Sequence, residues 1–496
     1  MGTDGVDVAA GYRFEGAVLE LGALVVGGMV DSGAGIRVPL KAVSRHGLVA
    51  GATGTGKTKT LQVMAEQLSE LGVPVFLADV KGDLSGMATP GVDDPKVAER
   101  AASVGQEWRP AGFPCEFFAL GGVGDGIPLR ATVTSFGPTL LAKVLGLTAV
   151  QESSLGLVFH FADQNGLPLL DLKDLRAVIQ FLVGDEGKEQ LKALGGLSKQ
   201  TAGVLLRQLI AFADQGADQF FGEPEFETAE LLRTTPDGRG VVSVLELPGV
   251  QDRPALFSSF LMWMLADLFN DLPEVGDLDR PKLVFFFDEA HLLFRGASKA
   301  FLESIAQTVR LIRSKGVGIF FVTQTPKDVP SEVLAQLGSR VQHALRAHTP
   351  DDAKALKATV STYPKTDYDL GELLTSLATG EAVVTVLSDK GVPTPVAWTR
   401  LRAPRSLMAP SDPAVMRGVL DASLLTARYA QAVDRESAYE MLAGRMEKAP
   451  APEEKPQASA VEQVLKSSAF RSMTRTVGTT LGREIARGVL NVFKRR

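Results

Sequence analysis

An α/β fold built on a central, mostly parallel sheet is what this sequence predicts, and three observations predict it. The stretch Gly51-Ala52-Thr53-Gly54-Thr55-Gly56-Lys57-Thr58 fits G-x-x-x-x-G-K-[ST]; the apolar run Gly47–Ala50 precedes it and a helical pattern from Thr60 follows. Continuous apolar runs recur between helical segments, the pattern of strands buried on both faces. One of these runs, Leu283-Val-Phe-Phe-Phe287, ends in the acidic pair Asp288-Glu289.

Bulk composition fits a folded chain and excludes several classes. Its 496 residues allow several domains, with 45% hydrophobic and 22% charged residues. A net charge of −6 excludes a globally basic nucleic-acid surface, so any such binding needs local positive charge. The one cysteine, Cys115, rules out an internal disulfide and a cysteine metal cluster and fits a cytoplasmic location. Neither a signal peptide nor an integral membrane segment is expected, since no run of about 18 apolar residues occurs.

Along the chain, residues 1–45 read as an N-terminal β segment of short runs and glycine turns. Strands are expected at Val73–Asp79, Gly240–Leu247, Lys282–Asp288, Gly318–Gln324 and Arg340–Arg346. With the run before the glycine loop they give a sheet of about six strands, of the doubly wound type. The core is therefore assigned to 46–99 and 236–402, and the interval 100–235, rich in helical patterns, to an inserted helical subdomain. Glu381–Leu387 and Pro395–Leu401 read as a hairpin closing the sheet. C-terminal helices are expected over 403–446 and a proline-rich disordered linker over 447–459. Residues 460–496 read as a basic amphipathic helical tail, with eight basic residues against two acidic from 461 on. It suits packing on its own domain or a neighbouring subunit, and also suits membrane-surface or nucleic-acid contact.

The chemistry-bearing residues follow from this layout. Glycines let the amides of Gly51, Ala52, Thr53, Gly54, Thr55, Gly56, Lys57, Thr58 and Lys59 converge on phosphate oxygens, helped by the helix N-terminus. Lys57 is expected to reach the β- and γ-phosphates of ATP, and the Thr58 hydroxyl to ligate Mg²⁺. Asp288 is placed to hold Mg²⁺ through water, and Glu289 to polarise the attacking water. An acid directly after the Mg²⁺ aspartate points to hydrolysis and not only binding. Gln324, at a strand tip, is placed to contact the γ-phosphate or that water. Arginines that neutralise transition-state charge are sought, in order, at Arg340, Arg346 and Arg313. For Asp79–Asp83 a supporting chemical role and a mere strand-end cap stay equally open, as do coupling and capping roles for His291.

Arg45–Thr58, Asp79-Val-Lys-Gly-Asp83, Asp288-Glu-Ala-His291 and Gly316–Pro326 together resemble the HerA/FtsK superfamily of P-loop ATPases, in particular a bacterial HerA-like group. The resemblance covers about residues 40–402. It implies a RecA-like core with an additional strand and a catalytic glutamate, and assembly as a homo-hexamer. Such rings pump double-stranded DNA, often with a nuclease partner; other relatives transfer DNA or protein. Only about 45 residues precede the glycine loop here, where nuclease-docking relatives carry a larger β-barrel. No DNA-reading winged helix is recognised. A DNA translocase or helicase is therefore the leading expectation, with an ATP-switched scaffold or a protein-transfer ATPase as alternatives.

Overall fold

The computed structural model describes residues 4–448 apart from 194, 251–252, 296 and 389. Its strands are β1 (Val18–Val26), β2 (Met29–Pro39), β3 (Gly47–Ala50), β4 (Val75–Asp79), β5 (Cys115–Leu120) and β6 (Ile127–Leu129). They continue with β7 (Val242–Glu246), β8 (Leu283–Phe287), β9 (Val317–Thr323), β10 (Ser339–Gln342), β11 (Glu381–Thr385) and β12 (Ala397–Leu401). All twelve join one sheet in the order β2-β1-β12-β11-β10-β3-β9-β8-β4-β7-β5-β6. From β10 to β5 every neighbouring pair runs parallel. β11, β12, β1 and β2 extend that sheet antiparallel. This is the expected α/β fold of RecA-like P-loop type, on a larger sheet than the six strands anticipated.

The inner parallel strands β3, β4, β8 and β9 are mostly apolar and buried at every position, because both their faces are covered. All five residues of β8 are buried, and each of its three phenylalanines contributes roughly 2–3 kcal/mol by leaving water. The helix Lys57–Glu70 turns Leu61, Met64, Ala65 and Leu68 to one core cluster with Val49, Phe320 and Val322. Leu345, Leu373, Leu374 and Leu377 gather in a second cluster with Val383 and Val396.

Several boundaries differ from those expected. Cys115–Leu120, inside the stretch 100–235 read as a helical insertion, is a fully buried strand paired with β7. The run expected at Arg340–Arg346 ends at Gln342. There the Gln342 side chain donates to the Ala50 carbonyl and the His343 amide takes the same acceptor at 2.7 Å, drawing the chain off the sheet under the glycine loop. The β11–β12 hairpin does not close the sheet. It bonds β10 on one side and β1 on the other, and so carries the sheet into the β1–β2 hairpin.

The chain divides into two compact units. The first comprises Met1–Pro128, Glu227–Ser258 and Leu272–Ala430. The second comprises Leu129–Phe226, Ser259–Asp271 and the described residues from Gln431 on. Within the second, the helices Ala149–Gln164, Leu172–Val183 and Lys199–Phe212 carry the helical patterns seen in the sequence. Phe220 packs edge-to-face on Phe260 and Trp263, and Asp174 accepts from the Tyr439 amide at 2.9 Å. The helix Ala438–Lys448 takes in the first two residues of the expected linker. The rest of that linker, and the basic tail 460–496, lie outside the described residues.

Candidate nucleotide site

The glycine loop joins β3 to the helix Lys57–Glu70, at the carboxyl end of the parallel strands. Gly54 and Gly56 take φ of 81° and 107°, a region closed to most side chains. A Cβ on Gly51 would lie 2.4 Å from the Cβ of His343, so this backbone passes where no other residue fits. The loop is pinned from its base: the Gly51 amide donates to Thr323 and the Ala52 amide to Ala344. Its Thr55 carbonyl accepts from the Gly380 amide and from His343 Nδ1, each at 3.0 Å. That leaves His343 Nε2 to accept from the Thr60 hydroxyl at 2.9 Å. Burial, and then the charge of Lys57, hold the His343 pKa down at about 4, so the ring stays neutral and keeps both bonds. Beyond these anchors the first amides of the helix have no intrahelical acceptor, the arrangement that suits an anion.

Charged side chains converge on the same edge. Lys57 is buried and folds back over the loop, its Nζ donating to the Ala52 carbonyl at 3.1 Å. Burial pulls its pKa down, while Glu289 and Asp288 pull it up. Asp288 is fully buried beyond β8. Its Oδ1 accepts the Glu289 amide at 2.9 Å, and its Oδ2 has no hydrogen-bond partner. Burial chiefly lifts its pKa to about 7. Glu289 sits at φ 48°, a strained position for a side-chain-bearing residue. Its Oε1 meets the Lys81 ammonium at 2.5 Å; its Oε2 meets His291 Nδ1 at 3.3 Å and Gln324 Nε2 at 3.5 Å. Burial would raise the Glu289 pKa, but the Lys81 bond and charge, with His291 and Gln324, bring it below the ordinary value.

The structure thus brings Lys57, Asp288, Glu289 and Gln324 together at one strand edge. Arg346 joins them, its Nη2 3.4 Å from the Thr53 carbonyl beside a cleft of about 240 Å³ that Gln324 also lines. Arg340 does not reach the loop of its own chain: it donates to the Thr362 hydroxyl at 2.6 Å and lies over the Tyr363 ring. Arg313 pairs with Asp277. Lys59 turns its ammonium to the Met408 carbonyl and Asp83. Asp79 proves to be a loop cap: its carboxylate accepts the amides of Lys81, Gly82 and Leu84. Sequence reasoning gave no separate place to Lys81 or His343. Lys81 was legible only as part of Asp79–Asp83, and nothing local marks His343.

Both implied groups suit these residues. A triphosphate fits the glycine cradle, with Lys57 and the first amides of the helix. Mg²⁺ fits the unpartnered Asp288 Oδ2 together with the Thr58 hydroxyl on the first turn of the helix. Among the described residues no cluster of three or more His, Cys, Asp or Glu side chains could hold a metal unaided, which suits an ion completed by phosphate oxygens and water.

Fold and site together define a P-loop ATPase with a RecA-like core. The chain belongs to the helicase HerA-like C-terminal family, whose model matches residues 28–463. A DNA double-strand break repair helicase HerA from Sulfolobus acidocaldarius is 21% identical over 373 residues, covering 74% of this chain and 67% of that one. The protein of the same name from Sulfurisphaera tokodaii is 23% identical over 369 residues, 73% of this chain and 66% of that one. This chain therefore spans about two thirds of the length of these curated relatives. Among solved structures, the plasmid coupling protein TrwB in complex with ADP and Mg²⁺ superposes with a TM-score of 0.54 at 17% identity, over 81% of this chain and 99% of that one. At that identity the likeness concerns the fold. No helix among the described residues is long and apolar enough to cross a membrane.

Proposed function

We propose that this chain is a Mg²⁺-dependent ATPase that works in a homo-hexameric ring and translocates double-stranded DNA in the cytosol. The observation that carries the hydrolytic part is the acid pair beyond β8, two strands from the glycine loop. One carboxylate oxygen there, Asp288 Oδ2, is buried and unpartnered; the neighbouring carboxylate, Glu289, lies within reach of Gln324. In this reading Lys57 swings from the Ala52 carbonyl to the β- and γ-phosphates, and the cradle amides hold the remaining oxygens. Thr58 and, through water, Asp288 would hold the Mg²⁺, which would supply neutralisation of charge on the phosphate oxygens. Glu289 accepts the proton of the attacking water, and Gln324 orients that water. Arg346 serves the γ-phosphate from its own subunit. Arg340, remote from its own loop, is the candidate for serving a neighbour's. Support for DNA as the substrate comes from the family and from the printed names of the helicase relatives.

ATP turnover with and without linear double-stranded DNA, at low and at raised salt, tests this. We expect stimulation that fades as salt rises, because phosphate contacts weaken steeply with ionic strength. Hydrolysis indifferent to DNA at low salt removes the translocase reading and leaves the ATPase. A nuclease or other protein partner would register as a further change in that rate on its addition. Mixing Arg340→Ala with Lys57→Ala protein tests the ring: partial recovery of turnover supports a shared site, and none argues against it.

A further inference from the structure

The Glu289 carboxylate must turn an oxygen to water to take its proton, yet both oxygens are already held by side chains. Oε2 is shared between His291 and Gln324, and Oε1 is held by the Lys81 ammonium at 2.5 Å. Lys81 does not come from the Glu289 segment. It stands on the loop after β4, and that loop is fixed by three backbone N–H hydrogen bonds donated to the Asp79 carboxylate. The side chain of Glu289 is 8% exposed and that of Lys81 is 42% exposed, so an anion arriving from solvent meets the lysine first. Glu289 is also held at a positive φ, a strained backbone that an added tether can help to sustain.

We propose that Lys81 is a positioning residue that latches Glu289 away from the attacking water, and that a phosphate oxyanion opens the latch by drawing off the lysine. The inference rests on Glu289 being the base of the ATPase proposed above. A phosphate can come from two sources, the backbone of bound nucleic acid or the γ-phosphate of the nucleotide itself. Either way the competition is chemically plain. A phosphate group offers the ammonium a set of anionic non-bridging oxygens against one carboxylate oxygen, and release leaves Glu289 Oε1 free to turn to the water.

The test is ATP turnover by full-length Lys81→Met, which keeps the stem and removes the charge, measured without and with linear double-stranded DNA. We expect the DNA-free kcat to rise at least threefold, with KM changing less than kcat. Lys81→Arg, which keeps a cation at similar reach, should rise less than Lys81→Met. If backbone phosphate opens the latch, DNA adds nothing further to Lys81→Met. If the γ-phosphate opens it, and only in part, the DNA-free kcat still rises, the DNA effect persists and KM for ATP rises. Adding Glu289→Gln to Lys81→Met should abolish the gain; a gain that survives means the lysine was not acting through Glu289 and overturns the latch. Lys81→Gln, checked by its thermal midpoint, serves if the methionine variant folds poorly. A DNA-free kcat at or below that of the parent in a folded variant overturns the latch alone, because the parent still hydrolyses ATP. No hydrolysis by either protein overturns the ATPase reading and the latch with it.

Discussion

Two buried carboxylates in the same sheet behave in opposite ways. Glu381, opening β11 in the antiparallel half, is 5% exposed and fully engaged. Its Oε1 accepts from Arg400 at 3.0 and 3.3 Å, and its Oε2 from Trp398 at 3.0 Å and the Ala378 amide at 3.4 Å. Asp288, beyond β8 in the parallel half, is completely buried, and one of its oxygens has nothing. A fully engaged buried carboxylate asks for no further partner; the open Asp288 oxygen costs stability that a bound cation would offset. The antiparallel half is thus scaffold, while the carboxyl ends of the parallel strands hold the unfinished business.

The sharpest way to break this contrast is to remove the charge at each place and read stability and turnover separately. Asp288→Asn should cut kcat by about 10²–10⁴-fold, the span usual for losing a positioned catalytic group. It should also unfold no earlier than the parent, since a buried, half-paired carboxyl has gone. Glu289→Gln should lose turnover over the same range while keeping nucleotide affinity, read by fluorescent-nucleotide titration. Asp288→Asn protein that is clearly less stable than its parent would mean that this carboxylate also serves the fold, and the contrast would fail.

Next in size comes Glu381→Ala. It strands the Arg400 guanidinium and the Trp398 N–H, and we expect a loss of about 3 kcal/mol in denaturant unfolding. KM for ATP in the protein that remains folded should hardly move. A KM raised tenfold at unchanged stability would put Glu381 in the site's service through Gly380, its neighbour against the glycine loop.

How much was legible in the sequence follows the same divide. Gly51–Thr58 and Leu283–Glu289 could be read because their chemistry is local: a loop between strand and helix, and an apolar strand with acids at its tip. Cys115–Leu120 was missed as a core strand because a short apolar run broken by Glu116 looks the same in a helical insert as in a sheet, and only its pairing with β7 decides. The Lys81–Glu289 pair was illegible for a related reason: β4 and β8 are neighbours in the sheet while far apart in the chain. Arg340 could be read as a useful arginine but not as one turned from its own loop, because its direction depends on where β10 ends.

A third buried group, His343, stays near the loop by a different device: it is neutral, and a change of pH can undo that. Its folded pKa, about 4, lies below the unfolded value of 6.5. The unfolded chain therefore binds the proton first. The stability present above pH 6.5 is lost progressively as pH falls toward 4. Between pH 7.5 and pH 5 this one ring should account for about 2 kcal/mol. His343→Asn keeps a donor and an acceptor but cannot charge. Its thermal midpoint should fall less than the parent's between those pH values, while His46, also held near 4 by burial, contributes equally to both proteins and cancels. Equal slopes in the two proteins would mean that the ring can charge in place. The Thr55 carbonyl would still accept its Nδ1–H, but the Thr60 hydroxyl would lose the acceptor it now has in Nε2, and the loop's brace would be weaker than the geometry at pH 7 implies.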